Sequence, residues 1–590
     1  MNSSEIQKLL AEATKMAKIG EFNRSLELSK QVLAIDVNNV DALLKSGRCF
    51  AMLGQDDKAI KALEKLAMLQ PENIEVYDLL GHLFLNVSKP DLAIDAFNRC
   101  LELNPKHVEA MRHIANWNNY RGNLTKSLLL FEKAVTFSPR HCDLLFDFAS
   151  ALFFYYGNAN KAADLCRRSI TLGNISADRG SVALQFLNYA SNQKPETIAM
   201  LHREWAEKHA DSLGQSVDFK THDFKTDRTL RIGLLSADFI PHPVGRYALA
   251  LCNNLNKKSF SLFIYSNRKK SKLKASFEKC TTWRNIYGIE DDKVVDAIRA
   301  DKIDILIDLS GHTAFSRLMV LAKRPAPISA AVFAYPNTTG MKAVDYRISD
   351  PHSDPIGYTE SLWTEQIDRM ENAAWIYLPM HDYDINPNPL PFSIGAPFTF
   401  GCLNNPNKIN RACVRLWAQV LKRLHNSRII LFQINDHHGK LLRKQFAEDG
   451  ANPEQIDMRK KGNSVYFLKL HNEIDLMFDP FPYNGGITSC DSFWMGVPVL
   501  CLEGKSYVSR QGVMQNKCLG LDAFVAKDKE EFIEKALQIS NNPELLKQLR
   551  ENLREMLKRS PLMNYNSYAN QFAEMLKRWW AKRCNEEKLK

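Results

Sequence analysis

Two patterns of apolar and polar positions divide the chain. In the first part Pro71, Pro105 and Pro139 recur at a period of 34 residues, and small or apolar side chains keep phase with them. Gly47, Gly81 and Ala115 share one position of the unit, Ala59, Ala93 and Ser127 a second, Leu63, Phe97 and Phe131 a third. Gly20, Gly54 and Gly122 mark turns between paired helices. The unit phases back to about Ile6 and forward, with a one-residue insertion, through Ala149, Gly157 and Ala163, giving about five helix pairs that end near residue 175. Beyond that point the period is lost. The segment 186–209 still reads as helical, with Pro195 opening a new helix, and 215–228 is a polar linker. From Leu230 onward, short apolar runs alternate with amphipathic stretches. The candidate strands are 230–236, 261–265, 303–309, 330–334, 398–403, 428–432 and 498–502, with a further apolar strand leading into Asn484-Gly485-Gly486.

The first pattern is that of tetratricopeptide repeats: small residues where two helices touch, an aromatic in the groove, and Pro at the next helix start. Such arrays expose a concave surface that holds a peptide or a partner protein, so the repeats predict a protein client and specify no reaction. The second pattern, strands separated by helices, predicts βαβ units and parallel sheets. It is too long for one sheet, and the Pro-rich break at 386–391 divides it. The expected fold is an all-α tetratricopeptide superhelix followed by two doubly wound, Rossmann-like α/β lobes with a cleft between them. The expected divisions are 1–175 for the repeats, 176–228 for a helical connector and linker, 229–390 for the first lobe and 391–590 for the second.

Composition narrows the class without choosing a function. The 590 residues are 45% hydrophobic and 25% charged, ordinary globular values. A net charge of +11 is small for this length and specifies no nucleic-acid partner; the basic run 268–274 reads as a solvated face. The twelve Cys have no C-x-x-C spacing, so neither a zinc cluster nor a disulfide framework is expected. No apolar run approaches a membrane span, and the N-terminus lacks the basic and apolar runs of a signal peptide. A cytoplasmic protein is expected, with no membrane partner; a homo-oligomer is compatible with all of this.

Ligands of open α/β sheets bind beyond the carboxyl ends of the strands, and four such turns carry chemistry. Asp238 to Arg246 follows the first strand and holds His242 between two prolines, a stiff setting for a positioned donor or base. It is not a G-x-G-x-x-G fingerprint, so no dinucleotide is implied. Asp308-Leu309-Ser310-Gly311-His312-Thr313 ends another strand, with Arg324-Pro325-Ala326-Pro327 and Tyr335-Pro336-Asn337-Thr338-Thr339-Gly340 behind it; these polar turns are expected to converge on one cleft edge. Asn404, Asn405 and Lys408 end the first strand of the second lobe, and a Lys there neutralises a phosphate as a point charge. In Asp479 to Pro498 an apolar strand leads through Gly485-Gly486 to Thr488 and Ser489 at a helix start. Glycines admit close backbone approach, and the helix N-terminus favours phosphate; Asp491, one turn in, is placed to accept ribose hydroxyls. A plain Gly-rich helix start is the alternative.

These turns, in this order behind the repeats, resemble the protein O-GlcNAc transferase and SPINDLY family of glycosyltransferases. Asp238-Phe239-x-x-His242-Pro243, Arg324-Pro325-Ala326-Pro327, Tyr335 to Gly340, Asp479-Pro480-Phe481-Pro482-Tyr483-Asn484-Gly485 and Trp494-Met495-Gly496-Val497-Pro498 carry the resemblance. It runs from the repeats through Leu187-Asn188-Tyr189 and Trp205 to Ser560-Pro561-Leu562. It implies the GT-B fold and inverting transfer of a sugar from a nucleotide sugar to Ser or Thr of intracellular proteins. It implies that His242 and Lys408 are catalytic, His242 as base or acceptor-positioning group. Asn404, Asn405, Lys408, Gly485, Gly486, Thr488, Ser489 and Asp491 would bind the nucleotide sugar, and His312, Thr313, Thr338, Thr339 and Gly340 would line the sugar and acceptor cleft. No metal and no other cofactor is implied, because Lys408 and a helix N-terminus replace the cation; Asp382-Tyr383-Asp384 reads as a loop feature.

The departures from the family pattern are specific. Asp304 stands where animal members have a His, and Gly486-Ile487-Thr488 replaces a more polar phosphate turn. The segment 465–475, which in the family carries a loop and helix that hold the base, is short, leaving Lys469 or His471 to compensate. Lys45, Leu79 and His113 stand in place of an asparagine ladder in the repeats. The donor is therefore open between UDP-GlcNAc, the favoured expectation, and GDP-fucose. A client-binding scaffold with a degenerate transferase domain is the reading from another class.

Overall fold

The structure is a computed structural model that describes residues 3–214, 218–379 and 385–589; the Asp382-Tyr383-Asp384 triplet lies outside the described residues. The chain forms two compact units, Met1–Ala151 and Leu152–Lys590.

The first unit is a succession of antiparallel helix pairs: Ser3–Lys18 with Phe22–Ile35, Val40–Met52 with Asp56–Leu69, Ile74–Asn86 with Pro90–Leu103, and Val108–Tyr120 with Leu124–Phe137. The phase of the sequence repeat has a direct steric cause. A Cβ on Gly47 would stand 2.7 Å from the Leu63 side chain, and one on Gly81 would stand 2.5 Å from the Phe97 ring. The turns within pairs need a left-handed residue, and Gly20, Gly54 and Gly122 supply it at φ +84°, +68° and +79°. Ser88 fills the same position of the third pair at φ +58°. Pro71, Pro105 and Pro139 sit in the turns before the helices, not at their first residues. The side chains of Asn39 and His107 cap instead, accepting from the amides of Ala42 and Ala110. His113, in the asparagine-ladder position, stacks on Phe97 with centroids 4.6 Å apart.

The second unit begins with helices Ala159–Thr171, Ala177–Leu187 and Pro195–His209. It then builds a seven-stranded sheet from β1 (Leu230–Ser236), β2 (Phe260–Ser266), β3 (Thr282–Asn285), β4 (Ile305–Asp308), β5 (Ile328–Ala331), β6 (Tyr346–Ser349) and β7 (Gln366–Arg369), in the order β3-β2-β1-β4-β5-β6-β7. A six-stranded sheet follows: β8 (Phe398–Cys402), β9 (Ser427–Gln433), β10 (Ile456–Lys460), β11 (Leu476–Phe478), β12 (Val499–Leu502) and β13 (Val525–Ala526), in the order β10-β9-β8-β11-β12-β13. Every pairing in both sheets is parallel. Each lobe is thus doubly wound, with its strand order reversing between β1 and β4 and between β8 and β11. The final helix, Tyr565–Lys588, returns to the first lobe: the Tyr568 and Tyr247 hydroxyls meet at 2.9 Å, and Trp579 stacks on Tyr346 at 4.3 Å. Among the described residues no helix is long and apolar enough to cross a membrane.

Candidate functional site

A cavity of about 360 Å³ opens where the two reversals of strand order face each other. The turns after β1 and β4 bring Asp238, His242 and Thr313, and the segment after β5 brings Phe333, Ala334 and Pro336. The turn after β8 brings Asn405 and Lys408, and the turn after β11 brings Tyr483, Asn484, Gly486, Ile487 and Thr488. Trp375, Tyr507 and Gln511 complete the wall. Parallel sheets concentrate ligand groups at such crevices, because adjacent chain connections leave there in opposite directions.

His242 is the N-cap of helix Pro243–Asn254, its Nδ1 accepting from the Val244 amide at 3.4 Å. That engagement leaves the proton of the neutral ring on Nε2, so toward a ligand the ring is a donor. Burial lowers its pKa, reinforced by Arg246 and Arg268 and opposed by Asp238, so the ring is neutral at pH 7. Lys408 ends the short turn Pro406–Lys408. Its Nζ donates to the Asn484 carbonyl at 2.7 Å and stands 4.0 Å above the centre of the Tyr483 ring. Burial lowers its pKa and Asp479 opposes that shift.

The turn after β11 has room for a side chain at its second glycine but not at its first. A Cβ on Gly485 would fall 2.1 Å from Ser489 Oγ and 3.0 Å from Asp479 Oδ1, whereas one on Gly486 meets nothing within 4 Å. Asp479 Oδ1 accepts from the Gly485 amide at 2.6 Å and pins the turn. In the following helix, Ile487–Trp494, the first amide taken by the backbone is that of Ser489, bonded to the Gly486 carbonyl at 3.1 Å. The amides of Ile487 and Thr488 are thus left without a protein partner among the described residues, at the positive end of the helix dipole.

The remaining residues singled out by sequence are placed elsewhere. Asn404 is buried, with Oδ1 bonded to no described residue, and Ser489 Oγ is in the same condition. Asp491 is 4% exposed and accepts from the Tyr377 hydroxyl at 2.7 Å. Of the turns expected to converge on the cleft edge, Thr313 and Pro336 reach the cavity, and of the five residues named for the sugar and acceptor cleft only Thr313 does. The other four, His312, Thr338, Thr339 and Gly340, do not line the cavity. His312 is fully buried, paired with Ser181 Oγ at 2.9 Å and the Thr339 carbonyl at 2.9 Å, against the rings of His202 and Trp205. Thr338 and Thr339 are buried on the Glu365 carboxylate, and a Cβ on Gly340 would overlap the His202 carbonyl at 2.2 Å. These polar residues bind the helical connector to the first lobe. Asp304 lies at the amino end of β4, away from the cavity, and takes His222, Arg228 and the Arg231 amide. His471 is buried against the Phe467 carbonyl and Ser492, and Lys469 is exposed; neither lines the cavity.

Sequence reasoning did not single out Trp375, Tyr507 or Gln511. Gln511 Oε1 accepts from the Trp375 indole at 2.8 Å, joining the lobes across a long sequence separation that no local motif reports.

Known proteins of similar sequence and structure identify the family. The chain is 29% identical over 422 residues to a tomato (Solanum lycopersicum) protein named probable UDP-N-acetylglucosamine--peptide N-acetylglucosaminyltransferase SPINDLY, covering 70% of this chain and 45% of the relative. The rice (Oryza sativa subsp. japonica) protein of that name is 30% identical with the same coverage. The Arabidopsis thaliana protein SEC, with the same enzyme name, is 26% identical over 379 residues, covering 61% of this chain and 38% of its own. The chain thus spans less than half the length of these curated relatives. Among solved structures, a mutant O-GlcNAc transferase from Thermobaculum terrenum matches with a TM-score of 0.65 and 25% identity over 100% of both chains. Tetratricopeptide repeat models match residues 19–83 and 74–107. The Glycosyl transferase family 41 model matches residues 187–381 and 396–572, which hold both sheets and all four turns around the cavity, and the chain belongs to that family.

Proposed function

We propose that the protein transfers a sugar, GlcNAc from UDP-GlcNAc, to Ser or Thr hydroxyls of proteins held by its repeats, with inversion at the sugar. One observation carries this reading: Lys408, Ile487 and Thr488 with their unpartnered amides, and His242 share the walls of a single cavity of about 360 Å³. In the proposed reaction the acceptor oxygen bonds to the anomeric carbon as the bond to the diphosphate breaks on the opposite face. Negative charge then grows on the departing phosphate, where Lys408 Nζ and the helix start stabilise it electrostatically. No divalent cation is needed in this scheme. The proton of the acceptor hydroxyl is released to solvent water as the new bond forms; His242, donating from Nε2, orients the acceptor or the sugar and does not act as the base.

The test is transfer from labelled UDP-GlcNAc to proteins of a lysate by the full chain, and Lys408→Ala should abolish it. A variant that transfers as well as wild type refutes the scheme. The absence of Lys469 and His471 from the cavity wall keeps the base preference a matter for experiment. Hydrolysis of UDP-GlcNAc against GDP-fucose decides it, and failure to bind either UDP or GDP would leave a client-binding scaffold.

A further inference from the structure

Beneath the cavity lies a carboxylate that this scheme does not use. Asp479 follows β11 and is 1% exposed. Its Oδ1 accepts from the Gly485 amide, and its Oδ2 is buried with no hydrogen-bond partner among the described residues. A Cβ on Gly512 would stand only 2.5 Å from Oδ2, so the helix Gln511–Cys518 seals that side with backbone alone. The groups facing the carboxyl from its neighbours are the thiols of Cys402 on β8, Cys413 on the next helix and Cys501 on β12. All three are buried and held protonated by that burial, and Lys408 is the cation acting on the carboxyl. The relation is reciprocal: Asp479 is the carboxylate acting on Lys408. Both belong to one turn, since Lys408 Nζ donates to the carbonyl of Asn484, the residue before Gly485.

We propose that Asp479 is a positioning residue that keeps Lys408 charged in the empty site, so that the ammonium is ready for a nucleoside diphosphate at neutral pH. Burial alone drives an ammonium toward its neutral form, and a neighbouring carboxylate reverses that. The shifts agree in direction: burial lifts Asp479, Lys408 pulls it back down, and Asp479 in turn raises Lys408 against its own burial. The arrangement has a cost, because a buried anion close to the phosphates repels them. Asp479 therefore strengthens binding only where Lys408 would otherwise lose its proton. This inference rests on the proposed donor class.

The experiment is calorimetric titration of the full chain with UDP from pH 6 to 9, for wild type and Asp479→Asn, with GDP as a second ligand. Asn keeps an oxygen for the Gly485 amide and removes the charge. The variant should bind as tightly as wild type or more tightly at pH 6. Its affinity should then fall away earlier, with the alkaline limb displaced to lower pH by about 1 pH unit, the effect of losing a nearby opposite charge, so that the two curves cross. A purely structural role would weaken binding by the same factor at every pH, and parallel curves overturn the proposal. Where Asp479→Asn does not fold, Asp479→Ser leaves a hydroxyl to accept from Gly485 and is read in the same way. If wild type binds neither UDP nor GDP at any pH, the proposed function falls and this inference with it; binding with parallel curves removes this inference alone.

Discussion

Asp491 offers a test of what burying a carboxyl costs this fold, read through the pH dependence of stability. The carboxyl is buried one turn into the helix that faces the cavity, and the Tyr377 hydroxyl donates to it at 2.7 Å. Burial outweighs that bond and the nearby Arg246, lifting its pKa from 3.8 to about 6. A carboxyl whose pKa rises on folding holds its proton more tightly in the native chain. Ionisation therefore erodes stability as pH climbs from the unfolded value through the folded one. At about 1.36 kcal/mol per unit the loss approaches about 3 kcal/mol by pH 7.5 and is about half that at pH 5. Asp491→Asn keeps an oxygen for Tyr377 and removes the ionisation. With an unfolding entropy of about 2.1 cal/mol/K per residue, the unit Leu152–Lys590 converts that energy into a Tm gain of about 3 °C at pH 7.5 and about half as much at pH 5. Scanning calorimetry at the two pH values reads the difference. Because Asp491 does not line the cavity, UDP affinity of the same variant should stay near wild type. No gain at pH 7.5, or an equal gain at both pH values, would refute the reasoning from burial.

Two further substitutions separate the cradle from the scaffold. Gly485→Ala places a methyl 2.1 Å from Ser489 Oγ and should cost about tenfold or more in UDP affinity by isothermal titration, while Gly486→Ala, with nothing within 4 Å, should stay near wild type. His312→Ala leaves Ser181 and the Thr339 carbonyl unpaired in the interior and should lower stability by about 1–3 kcal/mol, seen as a lower Tm. Transfer per folded molecule should be unchanged, and a selective loss of transfer would return His312 to the site.

What was legible in the sequence was whatever a short stretch of chain decides by itself. The repeat was readable because Gly47 and Gly81 are small for a steric reason repeated at each pair. The strands found were the apolar central ones. Those missed were mostly edges: β3 and β7 are largely solvated, and β10 carries Asp457, Arg459 and Lys460. No apolar run exists there to find. β6 was hidden differently, because Arg347 lies inside it, buried between the rings of Trp363 and Tyr507, and a buried Arg reads as a surface residue when its aromatic partners are distant in sequence.

The same distinction explains the candidate site. Lys408 and Thr488 were legible because a cation or a helix start after a strand faces the crevice by topology alone. His312 and Thr339 share that sequence signal and came out buried, because residues of the connector, Ser181 and His202, close over them from more than a hundred positions away. A polar turn at a strand end therefore identifies a place where polar groups must be satisfied, but not by what. Around the cavity the answer differs from turn to turn. Helices cover the end of β4, whereas Lys408 and, with their amides unpartnered, Ile487 and Thr488 line open volume. The carboxyls of Asp479 and Asp491 sit just behind that opening, both held above the usual carboxylate range by burial. Two uncomfortable buried acids behind one opening are costly to a fold, and perturbed groups of this kind gather where a ligand is to be bound. That cost is what the pH dependence of Asp479 and Asp491 variants measures.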